Sequence, residues 1–246
     1  MNYPNPTSTQ PPTVLLVHGA FADSSSWAGV VGRLQAAGVP VVAAPNPLRG
    51  LAHDAAYVAS RIAQIPGPVL AVGHSYGGAV ITNAAADAPN VVGLVYVAAF
   101  APDEGETLLG IGGDSRDSVL TEVLVEIRYP EDPWNEQGIE YAIAADRFHQ
   151  AFAADVTPSH AAVLAATQRP AAQACFTEPT GAVAWRTRPS WAIVPTEDYA
   201  AGSDILRSMA ERADADIVAV SGSHAIAISQ PQVVTDHILK ALAARW

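Results

Sequence analysis

One cysteine, Cys175, stands in a chain of 246 residues, so no internal disulfide can form and no CxxC pair exists for metal binding or thiol exchange. Cys175 reads as a small apolar filler. Lysine is almost missing as well: Lys240 is the single one among 13 basic residues, set against 24 acidic ones. The resulting net charge of −11 excludes the basic footprint of a nucleic-acid binder or of a protein drawn to anionic membranes. No apolar run approaches the roughly 18 residues of a membrane span. The opening MNYPNPTSTQPPT lacks the basic and apolar regions of a secretory signal, so a cytoplasmic protein is expected. Charge is scarce overall, at 15% of residues, whereas 50% are hydrophobic; global disorder is excluded and a large core is possible.

What the sequence does have is a rhythm. TVLLVHG (13–19), VPVVAAP (39–45), PVLAVGHS (68–75), VVGLVYVAAF (91–100), SWAIVPT (190–196) and DIVAVSG (216–222) are apolar runs with little alternation. Helical patterns separate them. Trp27, Val30, Val31 and Leu34 fall at i, i+3, i+4 and i+7, after an Asp23/Ser24 cap and before Gly38. Further helical patterns cover 53–65, 77–88, about 203–213 and the segment from Gln230 onward. Strands buried on both faces and joined by helices mean an α/β fold with a mainly parallel six-stranded sheet.

Between 102 and 188 the rhythm breaks. TEVLVEIRY sets Val123, Val125, Ile127 and Tyr129 against Glu122, Glu126 and Arg128, which predicts a half-exposed antiparallel strand. EYAIAADRFHQAFAAD and SHAAVLAATQRP read as helices. The expected organisation is a core of 1–101 and 189–246 with a cap over 102–188. The cap brings Trp134, Phe148, Phe152, Phe176 and Trp185, of which Trp134 and Trp185 are candidate substrate contacts, with Gly19 and Phe21 from the core.

Gly73-His74-Ser75-Tyr76-Gly77 lies where an apolar strand meets a helix-forming run. It matches G-x-S-x-G, the nucleophile elbow of α/β-hydrolases, in the context that motif requires. The sharp turn strains the serine backbone, and side chains at the flanking glycines would collide with neighbouring elements. Such a serine needs a base, expected on the loop after the last strand, with the chain order serine, acid, histidine. Of seven histidines only His224 and His237 come late enough, and only His224 directly follows a strand, in IVAVSGSH. His237 reads as an ordinary surface residue of the last helix. His18 reads as a structural hydrogen-bonding residue, and His74, on the turn itself, as pointing elsewhere. His53, His149 and His160 precede the acid. That acid is expected to be Asp198, after SWAIVPT, with Asp103 as the main alternative and Glu197 and Asp204 as nearby competitors. The oxyanion-hole donors are expected to be the backbone N–H groups of Ala20 and Tyr76, Gly19 letting the chain turn toward the serine.

With these residues assembled, the chain resembles the α/β-hydrolases over nearly its full length. It is most similar to the compact group of methyl-salicylate-type esterases, hydroxynitrile lyases and bacterial esterases. VLLVHGAFADSSSW, VGHSYGG, YVAAFAPDEGE, PSWAIVPTEDYA and GSHAIAISQP carry the resemblance. It implies a catalytic triad of Ser75, Asp198 and His224 acting on a small-molecule ester through an acyl-enzyme, with no cofactor and no metal. A lyase, a cofactor-free oxygenase or perhydrolase, and a non-catalytic receptor are the competing uses of the scaffold. A homodimer is left open by the sequence.

The lyases of this group carry threonine at the position of Gly19 and lysine at that of Ala225, where a cation would stabilise departing cyanide. Neither group is present here. Ester hydrolysis without useful hydroxynitrile lyase activity is therefore expected. The check is cyanide release from mandelonitrile measured beside hydrolysis of a simple ester; faster cyanide release would overturn it.

Overall fold

The computed structural model describes residues 11–130 and 137–244. From the N-terminus run β1 (Thr13–Val17), α1 (Ala28–Ala36), β2 (Val41–Ala44), α2 (Leu51–Ala63), β3 (Val69–His74), α3 (Tyr76–Ala84) and β4 (Val91–Val97). An insertion follows: α4 (Leu108–Gly113), α5 (Leu120–Val123), β5 (Leu124–Pro130), β6 (Gln137–Ile143), α6 (Ala145–Phe152), α7 (Pro158–Thr167), β7 (Ala171–Ala172) and α8 (Ala174–Thr177). The chain returns with β8 (Ser190–Pro195), α9 (Ser203–Arg212), β9 (Asp216–Val220), α10 (Ile226–Ser229) and α11 (Pro231–Leu242).

The six apolar runs form one parallel sheet in the order β2-β1-β3-β4-β8-β9. Every residue of β3 is buried, which explains why its sequence shows no alternation. β1 connects outward to β2, and the chain then re-enters on the other side of β1 as β3. The crevice beyond the carboxyl ends of β1 and β3 is thus the point where the winding reverses, the usual ligand site of such sheets. Among the described residues, no helix is long and apolar enough to cross a membrane.

Strands are shorter than the apolar runs because their last residues leave the ladder to build loops. His18 shows how. Its Nδ1–H donates to Gly19 O at 2.9 Å, and its Nε2 accepts from the Asn46 amide at 2.9 Å. Asn46 Nδ2 donates back to His18 O at 3.0 Å. Only a neutral ring with the proton on Nδ1 can make both contacts, and burial lowers its pKa to about 4. The expected structural role of His18 matches this geometry. The helix read from Asp23 to Gly38 divides into a 3-10 turn, Ser24–Trp27, capped by Asp23 accepting from Ser25 N at 2.7 Å, and α1 proper.

The insertion corrects two expectations. Glu140–Ile143 belong to a strand, not a helix: β6 pairs antiparallel with β5 along its full length and with β7 at Glu140 and Tyr141. Helix formation starts only at Ala145. β5 is antiparallel as expected, but it is exposed along most of its length and not on one face alone. Leu124 and Glu126 line the interior cavity, whereas Val125 and Ile127 are 46% and 36% exposed. β5 is an edge strand with a single neighbour, so its apolar residues lack a covering layer. His237 is likewise not a surface residue; it is buried on α11, and burial lowers its pKa. Cys175 is fully buried, with its thiol pushed up to about 12, as suits an apolar filler.

A second neutral histidine stands at the end of β3. His74 Nε2–H donates to His224 O at 2.9 Å, and burial lowers its pKa to about 3. An unfolded histidine titrates near 6.5. As pH falls below that value the unfolded chain binds protons that the fold refuses until about pH 4 (His18) and pH 3 (His74). Stability therefore declines between pH 6.5 and 4, by up to about 1.4 kcal/mol per pH unit for each ring. Denaturant midpoints compared at pH 7 and pH 5 should show a loss of several kcal/mol, and His18→Gln should remove part of the slope. A pH-independent midpoint would refute the neutral tautomers.

Candidate active site

Ser75 occupies the one-residue turn between β3 and α3, with φ 53° and ψ −125°. Left-handed backbone is costly for a residue with a side chain and persists only where the surroundings dictate it. Here Ser75 N donates to Val97 O at 3.3 Å, and Ser75 O accepts from Gly78 N at 2.9 Å and Phe100 N at 3.2 Å. Glycines let the elements close up. A Cβ on Gly73 would lie 2.5 Å from Gly77 O, and one on Gly77 would strike Val17 O at the end of β1. At Gly19 the issue is also space, not turning: a Cβ there would stand 2.6 Å from Ser75 Cβ.

His224 lies on the loop between β9 and α10, and its Nδ1–H donates to Asp198 Oδ2 at 2.6 Å. Asp198, on the loop after β8, is wholly buried, and its other oxygen accepts from the amides of Ala200 (3.0 Å) and Ala201 (2.8 Å). The two small residues let the backbone wrap the carboxylate. The carboxylate, held by the two amides, fixes which histidine nitrogen carries the proton. The competing acids are placed elsewhere. Asp103 ion-pairs with Arg186 at 2.5 Å, Glu197 accepts from Ser221 Oγ at 2.9 Å, and Asp204 from Ser115 Oγ at 2.6 Å.

The loop of His224 is gripped from both sides by residues that the sequence did not single out for this role. His74 does not point elsewhere: its ring centroid is 4.8 Å from that of His224, and its N–H holds the His224 carbonyl. Phe152, at the end of α6, sets its ring edge-on to His224 at 4.8 Å, while its carbonyl accepts from Ala225 N at 3.0 Å. Asp155 accepts from Ser223 Oγ and, at 2.7 Å, from Ser229 Oγ. These contacts join residues far apart in sequence and leave no local pattern.

Ser75 and His224 open onto one cavity of about 310 Å³. Ala20, Phe21 and Tyr76 line it, with Phe100, Leu108, Leu124, Tyr141, Phe152 and Phe176. Among the described residues, neither the Ala20 nor the Tyr76 amide N–H has an acceptor within the protein. Two free donors beside a serine hydroxyl are the arrangement that binds developing negative charge on a substrate oxygen. Trp185 is not at the cavity: its indole N–H donates to Pro102 O at 2.9 Å, and its ring faces the guanidinium groups of Arg186 and Arg212. These contacts hold it, partly buried against the core, away from the cavity. Trp134 lies outside the described residues. No cluster of three or more potential metal ligands occurs among the described residues.

Comparison with known proteins bears on the fold. Polyneuridine aldehyde esterase superposes with a TM-score of 0.80 at 18% identity, covering 94% of this chain and 99% of that one. A pyrethroid hydrolase gives 0.75 at 21%, covering 95% and 98%. Tomato methylketone synthase I, solved with 2-tridecanone, gives 0.77 at 18%, covering 94% and 98%. At such identities the likeness is one of fold. No curated protein matches the sequence. The pattern of the alpha/beta hydrolase family matches residues 14–237. That match takes in the whole strand–helix framework that carries Ser75, Asp198 and His224, and the chain belongs to the alpha/beta hydrolase family.

Proposed function

We propose that this protein is a serine ester hydrolase acting on small to medium, largely apolar esters. The observation that carries the reading is that Ser75, the Asp198-bound His224 and two unengaged amides meet at one apolar cavity. Ser75 Oγ attacks the ester carbonyl as His224 Nε2 takes its proton, and the carbonyl oxygen becomes an oxyanion held by the Ala20 and Tyr76 amides. The tetrahedral intermediate collapses, His224 returns the proton to the leaving alcohol, and the acyl group stays on Ser75. Water, deprotonated by His224, then adds to the acyl carbonyl, and Ser75 leaves with the proton. Asp198 stays ionised throughout and stabilises the imidazolium. A neutral His74 suits this cycle, because a second cation at that distance would oppose the charge on His224.

The cavity supports the substrate class. At interior packing density it holds roughly fifteen non-hydrogen atoms. Glu126 is its one acidic lining residue among the described residues and is paired with Arg128 at 3.1 Å. A neutral ester is favoured there over an anionic one, and the carboxylate product leaves a largely apolar site. In this reading the insertion over 102–188 acts as the cap that shapes acyl preference, while the core supplies the chemistry.

Replacing Ser75 or His224 by alanine is expected to lower kcat on a p-nitrophenyl ester by several orders of magnitude without unfolding the protein. The double variant should be little worse than either single one. Near-normal turnover in either folded variant would end this reading. Asp198→Asn should lose about 10⁴ in kcat through the wrong imidazole tautomer, whereas Asp103→Asn should stay near wild type. The reverse ranking would move the acid to the loop after β4.

A further inference from the structure

Phe21 follows Ala20, and its φ is 62°, in the left-handed region. An aromatic residue holds that conformation only where its surroundings impose it. What faces its ring is Phe176 of α8: the two stack with centroids 6.0 Å apart and planes 18° from parallel. Phe176 also meets Tyr76, with centroids 6.5 Å apart, and Tyr141 of β6 edge-on at 6.1 Å. Tyr76 in turn is anchored at its far end, its hydroxyl donating to the buried Asp54 Oδ2 at 2.8 Å. One ring from the insertion therefore touches the side chain beside the Ala20 amide and the side chain of the residue that supplies the other amide.

We propose that Phe176 is a positioning residue that holds the oxyanion hole together from the insertion side, an inference that rests on the ester-hydrolase reading. Stacking keeps Phe21 in its left-handed state and so fixes the turn carrying the Ala20 amide. The same ring presses on Tyr76, whose phenol is tied to α2 behind it, and the Tyr76 side chain cannot swing. The two N–H groups, from different loops, are thereby aimed at one point. Removing the flat ring leaves the strained turn at Phe21 free to relax, and the donors no longer converge.

A plain wall of the acyl pocket would behave differently. It would alter binding of long acyl groups and leave an acetyl ester, too short to need it, untouched. A buttress of the oxyanion hole lowers transition-state stabilisation for every ester alike.

The test compares p-nitrophenyl acetate and hexanoate in Phe176→Leu, which keeps apolar volume but loses the flat face, and in Phe176→Tyr, which keeps the ring. Phe176→Leu should lower kcat on both esters by a similar factor, about 10- to 100-fold, given the about 10²–10³ lost with one whole donor. KM should change by no more than about threefold, and covalent labelling by a small fluorophosphonate should slow in parallel. Phe176→Tyr should restore most of the lost rate. Adding Phe21→Gly, which adopts positive φ freely, should make Phe176→Leu no worse. If Phe176→Leu does not fold, Phe176→Met carries the same comparison. An active wild type whose leucine variant loses hexanoate turnover only, or changes only in KM, overturns the proposal while sparing the esterase reading. A wild type inert to both esters and to the fluorophosphonate overturns both.

Discussion

Everything at this site depends on how closely α3 approaches β1 and β3. The helix starts one residue after the strand ends, and it fits only because Gly73 and Gly77 present no side chains where the backbones meet. That contact forces Ser75 into its left-handed turn and sets Ser75 and Tyr76 together at the cavity. The sheet order then delivers the remaining parts. β1 neighbours β3, so its following loop brings Ala20 beside the serine; β8 and β9, beyond β4, end in the loops of Asp198 and His224. The chemistry is a property of strand ends.

The insertion is bound to this edge by links of different physical character, among them hydrogen bonds from Val119 N and Ser118 Oγ to the loop of Asp198. Near His224 the link is polar: the Phe152 carbonyl and the Asp155 carboxylate receive hydrogen bonds from the loop at Ser223–Ala225 and from Ser229. Near Ala20 it is aromatic, through Phe176. The polar link acts through direction and fixed length, whereas the packed rings act through the fit of their faces. Both sides of the site are thus held from the insertion, the histidine side by hydrogen bonds and the side of Phe21 and Tyr76 by packed rings.

What was legible in the sequence was whatever is local. The apolar runs became the six sheet strands, and the elbow revealed itself because its glycines, serine and flanking elements are contiguous. His224 could be found because it follows a strand directly. His74 was misread because being next to the serine in sequence says nothing about which way its ring points. It lies 150 residues from the carbonyl it holds. The β5 alternation is plain in the sequence, but period two does not reveal that an edge strand leaves most of both faces exposed. Glu140–Ile143 were read as helix because alanine-rich flanks hid a short strand whose partner, β5, lies earlier in the chain. The Phe21–Phe176 stack joins residues 155 positions apart by the numbering and leaves no trace in either segment.

The missing side chain at Gly19 has a consequence for how this scaffold can diverge. With Ser75 Cβ only 2.6 Å from where a Cβ would sit, any larger residue there must displace either the nucleophile or the β1 loop. The same crowding closes off Gly73 and Gly77. The packing beneath Ser75, on which the cavity rests, therefore has almost no room for substitution. Variation that retunes which molecules fit must accumulate in the roof: the exposed edge strand β5, the short helices around it and the rings they suspend. A fixed floor under a replaceable roof lets one reaction centre be offered to many substrates without being rebuilt.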